Sequence, residues 1–199
     1  MIRNSFDKGE EGWCSYDYHA SMVDGGKNVF ILAAWEPRGG VNDSGYVWVD
    51  HTRWSADTPE KPLSILPLLF YRRWINADPI DLHDAEVSVY LRGDGLRLDG
   101  AQCYFWIHGA ATRWHYVAHP LASPEGHWGS SPLIFRLTAD ERLWHRSWSF
   151  DPKNPAPLNL LLSKVESYGF SFVGFSSEVT GRLCMDEFQT RPSTRNPRP

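Results

Sequence analysis

Two runs of the chain, Glu86–Arg92 and Gln102–His108, alternate apolar and polar residues with period two, the pattern of strands that keep one face in a hydrocarbon interior. Val87, Val89 and Leu91 share one face of the first run, and Cys103, Phe105 and Ile107 share one face of the second. The opposite faces read Glu86, Ser88, Tyr90, Arg92 and Gln102, Tyr104, Trp106, His108. Further strand-like runs fall at Cys14–His19, Asn28–Trp35, Gly45–His51, Ala85–Arg92, Thr112–His119, Pro132–Leu137, Leu143–Phe150, Phe170–Ser176 and Gly181–Phe188. Asp24-Gly25-Gly26, Arg38-Gly39-Gly40, Gly93-Asp94-Gly95 and Asp99-Gly100 between them supply residues that tolerate positive φ, and Gly109–Ala111 reads as a tight hairpin. A single helical stripe stands out: Leu158, Leu161, Leu162 and Val165 recur at i, i+3, i+4 and i+7, with Pro157 before and Gly169 after. Thr52–Pro67, with its prolines, and Leu121–Ser131, around His127 and Trp128, read as long loops. The pattern predicts an all-β sandwich with one short helix plugging an end.

At 199 residues the chain fits a single sandwich domain over 1–188, followed from Gln189 by a basic, Pro-rich tail over 189–199. A formal charge of −4 argues against nucleic acid and anionic membranes as partners. No apolar run approaches the length of a membrane span. Met1-Ile-Arg-Asn-Ser-Phe-Asp carries no apolar signal region, so the expectation is a cytoplasmic protein or an excised module of a secreted one. Cys14, Cys103 and Cys184 show no metal-binding spacing and read as small buried hydrophobes, although an oxidising compartment would allow one disulfide. Ten Trp are many for this length; such rings fill sandwich cores or present flat faces to ring-bearing ligands.

If the alternating runs belong to one sheet, its outer face joins Tyr46, Trp48 and Asp50 to Glu86, Tyr90, Arg92, Gln102, Tyr104, Trp106 and His108. Rings stack on the C–H faces of a pyranose while Asp, Glu, Gln, Arg and His bond its hydroxyls. That face therefore predicts binding of carbohydrate, or of another small molecule, without catalysis. The alternative is an enzyme on the same face. Tyr104, His108, Arg92 and Glu86 are the residue types of a lyase on uronate sugars, or of an isomerase or cyclase moving protons on a small metabolite. No G-x-S-x-G nucleophile elbow and no glycine-rich phosphate loop occur, and no organic cofactor is implied. His115 and His119 fall on one side of a strand, but no tight metal-binding histidine motif accompanies them. Nothing in the pattern fixes the oligomeric state.

The two ends carry a further signal. Phe6-Asp7-Lys8-Gly9-Glu10-Glu11-Gly12-Trp13 resembles the F-(E/D)-x-G-x-E-G-W opening of galactose-binding-like jelly rolls, a group that includes carbohydrate-binding modules and the laminin IV type A domain. Phe170-Ser-Phe-Val-Gly-Phe and Gly181-Arg-Leu-Cys-Met-Asp186-Glu187-Phe188 resemble their closing strands, and Gly45-Tyr46-Val47 and Trp144…Trp148 keep the laminin-type layout. The resemblance implies a jelly-roll β-sandwich whose first and last strands pair. It also implies a structural Ca2+ near them, for which Asp7, Asp24 and Asp186 occupy the matching positions.

Overall fold

The structure, a computed structural model, describes residues 1–17, 25, 29–54, 56 and 64–192. Its strands are β1 (Ile2–Asn4), β2 (Trp13–Tyr16), β3 (Phe30–Leu32), β4 (Ala34–Glu36), β5 (Tyr46–Asp50), β6 (Ser64–Tyr71), β7 (Glu86–Arg97), β8 (Gln102–Gly109), β9 (Thr112–Leu121), β10 (Leu133–Arg136), β11 (Trp144–Ser149), β12 (Ser167–Val173) and β13 (Thr180–Arg191). They form two antiparallel sheets. The first has the order β10-β7-β13-β5-β4, with β1 also on β13, and the second the order β11-β9-β8-β12-β6-β2-β3. The fold is an all-β sandwich with one short helix, α1 (Leu158–Leu162), whose Leu158, Leu161 and Leu162 are buried. Among the described residues no helix is long and apolar enough to cross a membrane.

Side-chain parity holds in both alternating runs. Val87, Val89 and Leu91 of β7, and Cys103, Phe105 and Ile107 of β8, all lie in the interior. Their shared sheet does not exist. β7 belongs to the first sheet and β8 to the second, so their polar faces look out from opposite sides of the sandwich. The turn between them is the cause. Asp99 and Gly100 adopt the expected positive φ, but Leu98 and Ala101 on either side pack into the core, so the chain arches between layers rather than folding back within one. A glycine turn alone does not distinguish the two routes.

Other expectations shift for local reasons. Asn28–Trp35 divides into β3 and β4, which join different sheets. Thr52–Pro67 runs into β6, a strand in the middle of the second sheet. Its near-continuous apolar run lacks alternation, and Pro67 is tolerated because the pairing with β12 shifts register there, between Ile65 and Leu68. Gly93-Asp94-Gly95 lies inside β7 rather than in a turn. Gly169 belongs to β12, where an added Cβ would stand 2.2 Å from the Leu68 carbonyl oxygen, so close strand packing rather than helix termination requires it. β13 continues through Arg191 and so takes in the first three residues of the expected tail, and residues 193–199 lie outside the described ones. The Gly109–Ala111 hairpin is present, with Ala110 and Ala111 both at positive φ.

The opening motif has a structural explanation. The Glu11 carboxylate accepts from the Phe6 amide at 2.8 Å and from Asn4 Nδ2 at 2.8 Å, closing the loop between β1 and β2. Trp13 then enters the core, its Nε1 donating to Asn4 Oδ1 and its ring 4.9 Å from Phe188 and 5.8 Å from Tyr168. β1 pairs with β13, so the first strand is fastened to the last.

Candidate functional site

The outer face of the first sheet gathers the densest mixture of rings and charges. In β5 the inward Val47 and Val49 turn Tyr46, Trp48 and Asp50 outward, as the inward valines of β7 do for Glu86, Ser88, Tyr90 and Arg92. β13 runs between these strands with Cys184 opposite both Trp48 and Arg92, and Asp186 opposite Tyr90. Guanidinium groups cover most of the rings. Arg92 lies 4.7 Å from the Tyr46 centroid and 4.5 Å from that of Trp128, which the Leu121–Ser131 loop delivers. Arg182 sits 4.0 Å and Arg53 5.5 Å over Trp48. Arg92 also donates to the Gly39 carbonyl and to Asp94 Oδ2, so its charge is neutralised within the protein. The Cys184 thiol, which donates to Asp94, is pushed up to about 12 by burial and by that carboxylate, and stays protonated. Burial would raise the Asp50 pKa, but the Thr52 hydroxyl and amide bond its carboxylate and hold it below the ordinary value.

Beside this stacked patch, between β10, β7 and β13, a groove of about 400 Å³ opens on the same face. Glu86, Ser88 and Tyr90 form its floor, Pro132 and Ile134 one wall, Glu187, Gln189 and Arg191 the other, and Val41 and Asn42 a lip. The polar wall is pre-set. Arg191 Nη2 donates to Gln189 Oε1 at 2.8 Å, Gln189 Nε2 to Glu187 Oε2 at 3.3 Å, and Arg3 Nη2 reaches the same oxygen at 3.4 Å. A bulge between Asp186 and Gln189, with Glu187 at φ 48°, turns the Glu187 side chain into this wall while Phe188 stays in the core. Asp186 holds the lip. Its fully buried carboxylate accepts from the Val41 amide, Ser44 Oγ and the Glu187 amide, each at 2.7 Å. Burial raises the Asp186 pKa against these hydrogen bonds. Gly40 is required at this contact, because an added Cβ would stand 2.5 Å from Asp186 Oδ2.

Of the residues expected at one site, Glu86 and Tyr90 line the groove, and Tyr46, Trp48, Asp50 and Arg92 lie on the same sheet face. Gln102, Tyr104, Trp106 and His108 lie on the second sheet. The proposed acid-base quartet is therefore not assembled: Arg92 and Glu86 face one side of the sandwich, Tyr104 and His108 the other. Trp106 is only 2 % exposed, covered by a small cluster of Cys14, Leu66 and Leu69 with Tyr16, Phe30 and Tyr71 packed against it. Its Nε1 donates to the Phe170 carbonyl, and Arg113 lies 5.8 Å from its ring. Tyr104 Oη donates to Gln102 Oε1. The His108 ring rests 5.9 Å from Trp148, and burial, with Arg113 and Arg73 nearby, lowers its pKa to about 4. His115, 1 % exposed and bonded through Nδ1 to Ser147, is lowered well below the ordinary histidine value by burial, Arg113 and His145.

For the metal positions, Asp7 bonds Ser5 Oγ at the surface, Asp186 is occupied by the lip, and Asp24 lies outside the described residues. Among the described residues no three His, Cys, Asp or Glu side chains converge as a metal site. The groove also uses Asn42, Ile134, Glu187, Gln189 and Arg191, which the sequence pattern had not singled out. Two signals were present: an outward Ile134 in an otherwise ordinary strand, and long polar side chains two residues apart, Gln189 and Arg191, beyond Phe188.

No family model matches the chain, and no curated protein does. Among solved structures, an exo-beta-agarase superposes with a TM-score of 0.47 at 11 % sequence identity, covering 82 % of this chain. The match spans 22 % of the agarase chain, so this protein corresponds to under a quarter of its length.

Proposed function

We propose that this domain binds carbohydrate, without turning it over, in the groove between β10, β7 and β13. The observation that carries this reading is the groove's composition: a tyrosine ring and Ile134 form an apolar strip beside a row of pre-ordered hydrogen-bonding side chains. A pyranose needs both halves of that arrangement, an apolar surface for its C–H face and polar groups at its hydroxyls. The volume, about 400 Å³, lies in the range of small-ligand sites. Stacking on Tyr90 and a few hydrogen bonds contribute on the order of 1 kcal/mol each, which corresponds to millimolar to high-micromolar affinity. The stacked patch around Tyr46 and Trp48 contributes rigidity to the face rather than sugar platforms, because guanidinium groups occupy its rings.

The test is glycan-array retention followed by titration calorimetry on whatever is retained. Tyr90→Ala should weaken binding by about five- to thirtyfold, a loss of about 1–2 kcal/mol, with an unchanged circular dichroism spectrum. Retention of no glycan across a broad array, or wild-type affinity in the variant, would overturn the reading.

A further inference from the structure

We infer that the groove selects neutral, hydroxyl-rich glycans and turns away uronic-acid and sulfated ones; this rests on the carbohydrate reading above. The argument is one of hydrogen-bond polarity. Along the β13 wall three donors are committed to neighbours: one Arg191 Nη2 N–H to Gln189, one Gln189 N–H to Glu187, and Arg3 Nη2 to Glu187. The charged groups of the lining are weighted to acceptors, two carboxylates (Glu86 and Glu187) against one guanidinium (Arg191), and a carboxylate accepts only. Arg191 retains N–H groups and stands in register with Glu86 across the β7–β13 pair, so an anion approaching its guanidinium also approaches that carboxylate. Arg136, on the other side of Glu86, is paired with Asp84 at 3.0 Å.

A sugar hydroxyl satisfies such a wall, because it donates to a carboxylate and still accepts from tyrosine, serine or the free amide proton. A carboxylate or sulfate on the ligand only accepts. Set against Glu86 or Glu187 it leaves acceptor facing acceptor and two like charges in contact, and both raise the free energy of the complex. Discrimination therefore comes from a repulsive element built into the wall, not from an additional attraction to neutral sugars.

The experiment compares neutral oligosaccharides with uronic-acid and sulfated oligosaccharides of equal length, by calorimetry on wild type, Glu86→Gln and Glu187→Gln. Neutral chains should bind wild type at least about tenfold more tightly. Each glutamine variant places an amide donor where only an acceptor stood, and should narrow that ratio to about threefold or less by gaining affinity for the acidic chains. Glu86 is exposed and outward, so its substitution leaves the fold in place. Acidic chains that bind wild type as well as neutral ones, or a ratio unmoved in both variants, overturn the selectivity while leaving carbohydrate binding intact. Binding of neither class overturns both.

Discussion

The two outer faces of this sandwich have nearly the same composition and opposite fates. Each presents tryptophan and tyrosine among arginine, glutamine, histidine or carboxylate. On the second sheet Trp106 is sealed under Cys14, Leu66 and Leu69, and His108 and His115 are held uncharged by burial. That face is a second, smaller core with polar edges. On the first sheet the rings are covered by guanidinium groups instead, and next to them the backbone bulge at Glu187 leaves an open, hydrogen-bonding groove. Ring-plus-polar composition thus marks a face that is not ordinary solvent surface, but not what it does. What lies over the rings decides that.

The largest effect that separates the faces is on stability. Trp106→Ala should destabilise the fold by about 3–5 kcal/mol, because it empties the centre of the small cluster and leaves the Phe170 carbonyl without its Nε1 donor. Glycan affinity of the folded fraction should stay unchanged, since Trp106 and the groove lie on opposite sides. Urea unfolding read by circular dichroism measures the first quantity and calorimetry the second. A loss below about 1 kcal/mol would mean that the second face is not a core at all.

A smaller effect reads the charge state of that face. The folded-state pKa of His108, about 4, lies below the ordinary value of 6.5, so between those values the unfolded chain binds a proton that the folded one refuses. Stability therefore falls as pH drops from 6.5 toward 4, by at most about 1.4 kcal/mol per pH unit from this group, and the contribution is exhausted below the folded pKa. His115 acts with the same sign. His108→Gln removes one titration and should flatten the slope of unfolding free energy against pH in that window. Identical slopes in wild type and variant would show that His108 protonates freely in the folded state and that the second face is wetter than its burial implies.

How much of this was legible in the sequence follows from which interactions are local. Strand parity is local, since it depends only on the period of two, and Val87, Val89, Leu91, Cys103, Phe105 and Ile107 all point inward as their spacing requires. The sandwich class, the Leu158–Leu162 part of the helical stripe and the Ala110–Ala111 hairpin are local in the same sense, whereas Val165, expected on that stripe, leaves the helix and bridges to Ile80. Partner choice is not. Nothing in Leu98-Asp99-Gly100-Ala101 states whether the chain returns to its own sheet or crosses the core, and that one turn separates Tyr104 and His108 from Arg92 and Glu86. β6 was hidden for a different reason: a strand buried on both faces loses its alternation, and Pro67 imitates a loop. The groove needed the bulge at Glu187, a backbone event with no residue of special conformational freedom to announce it.

The smallest effect probes whether the guanidinium groups on the first face are structural cover or a removable lid. Arg182 stacks at 4.0 Å on Trp48 from an exposed position, so Arg182→Ala should cost only about 0.5–1 kcal/mol of stability. Trp48 does not line the groove, and the second guanidinium over it, that of Arg53, remains at 5.5 Å, so glycan affinity should be unchanged. The double substitution Arg53→Ala with Arg182→Ala removes both guanidinium covers from the ring and gives the sharper form of the test. Unchanged affinity there keeps the proposed sugar site confined to the groove. A severalfold gain would show that Trp48 is a stacking platform once uncovered. The first face would then be a single site extending from β10 to β5, in which arginine side chains and ligand compete for the same rings.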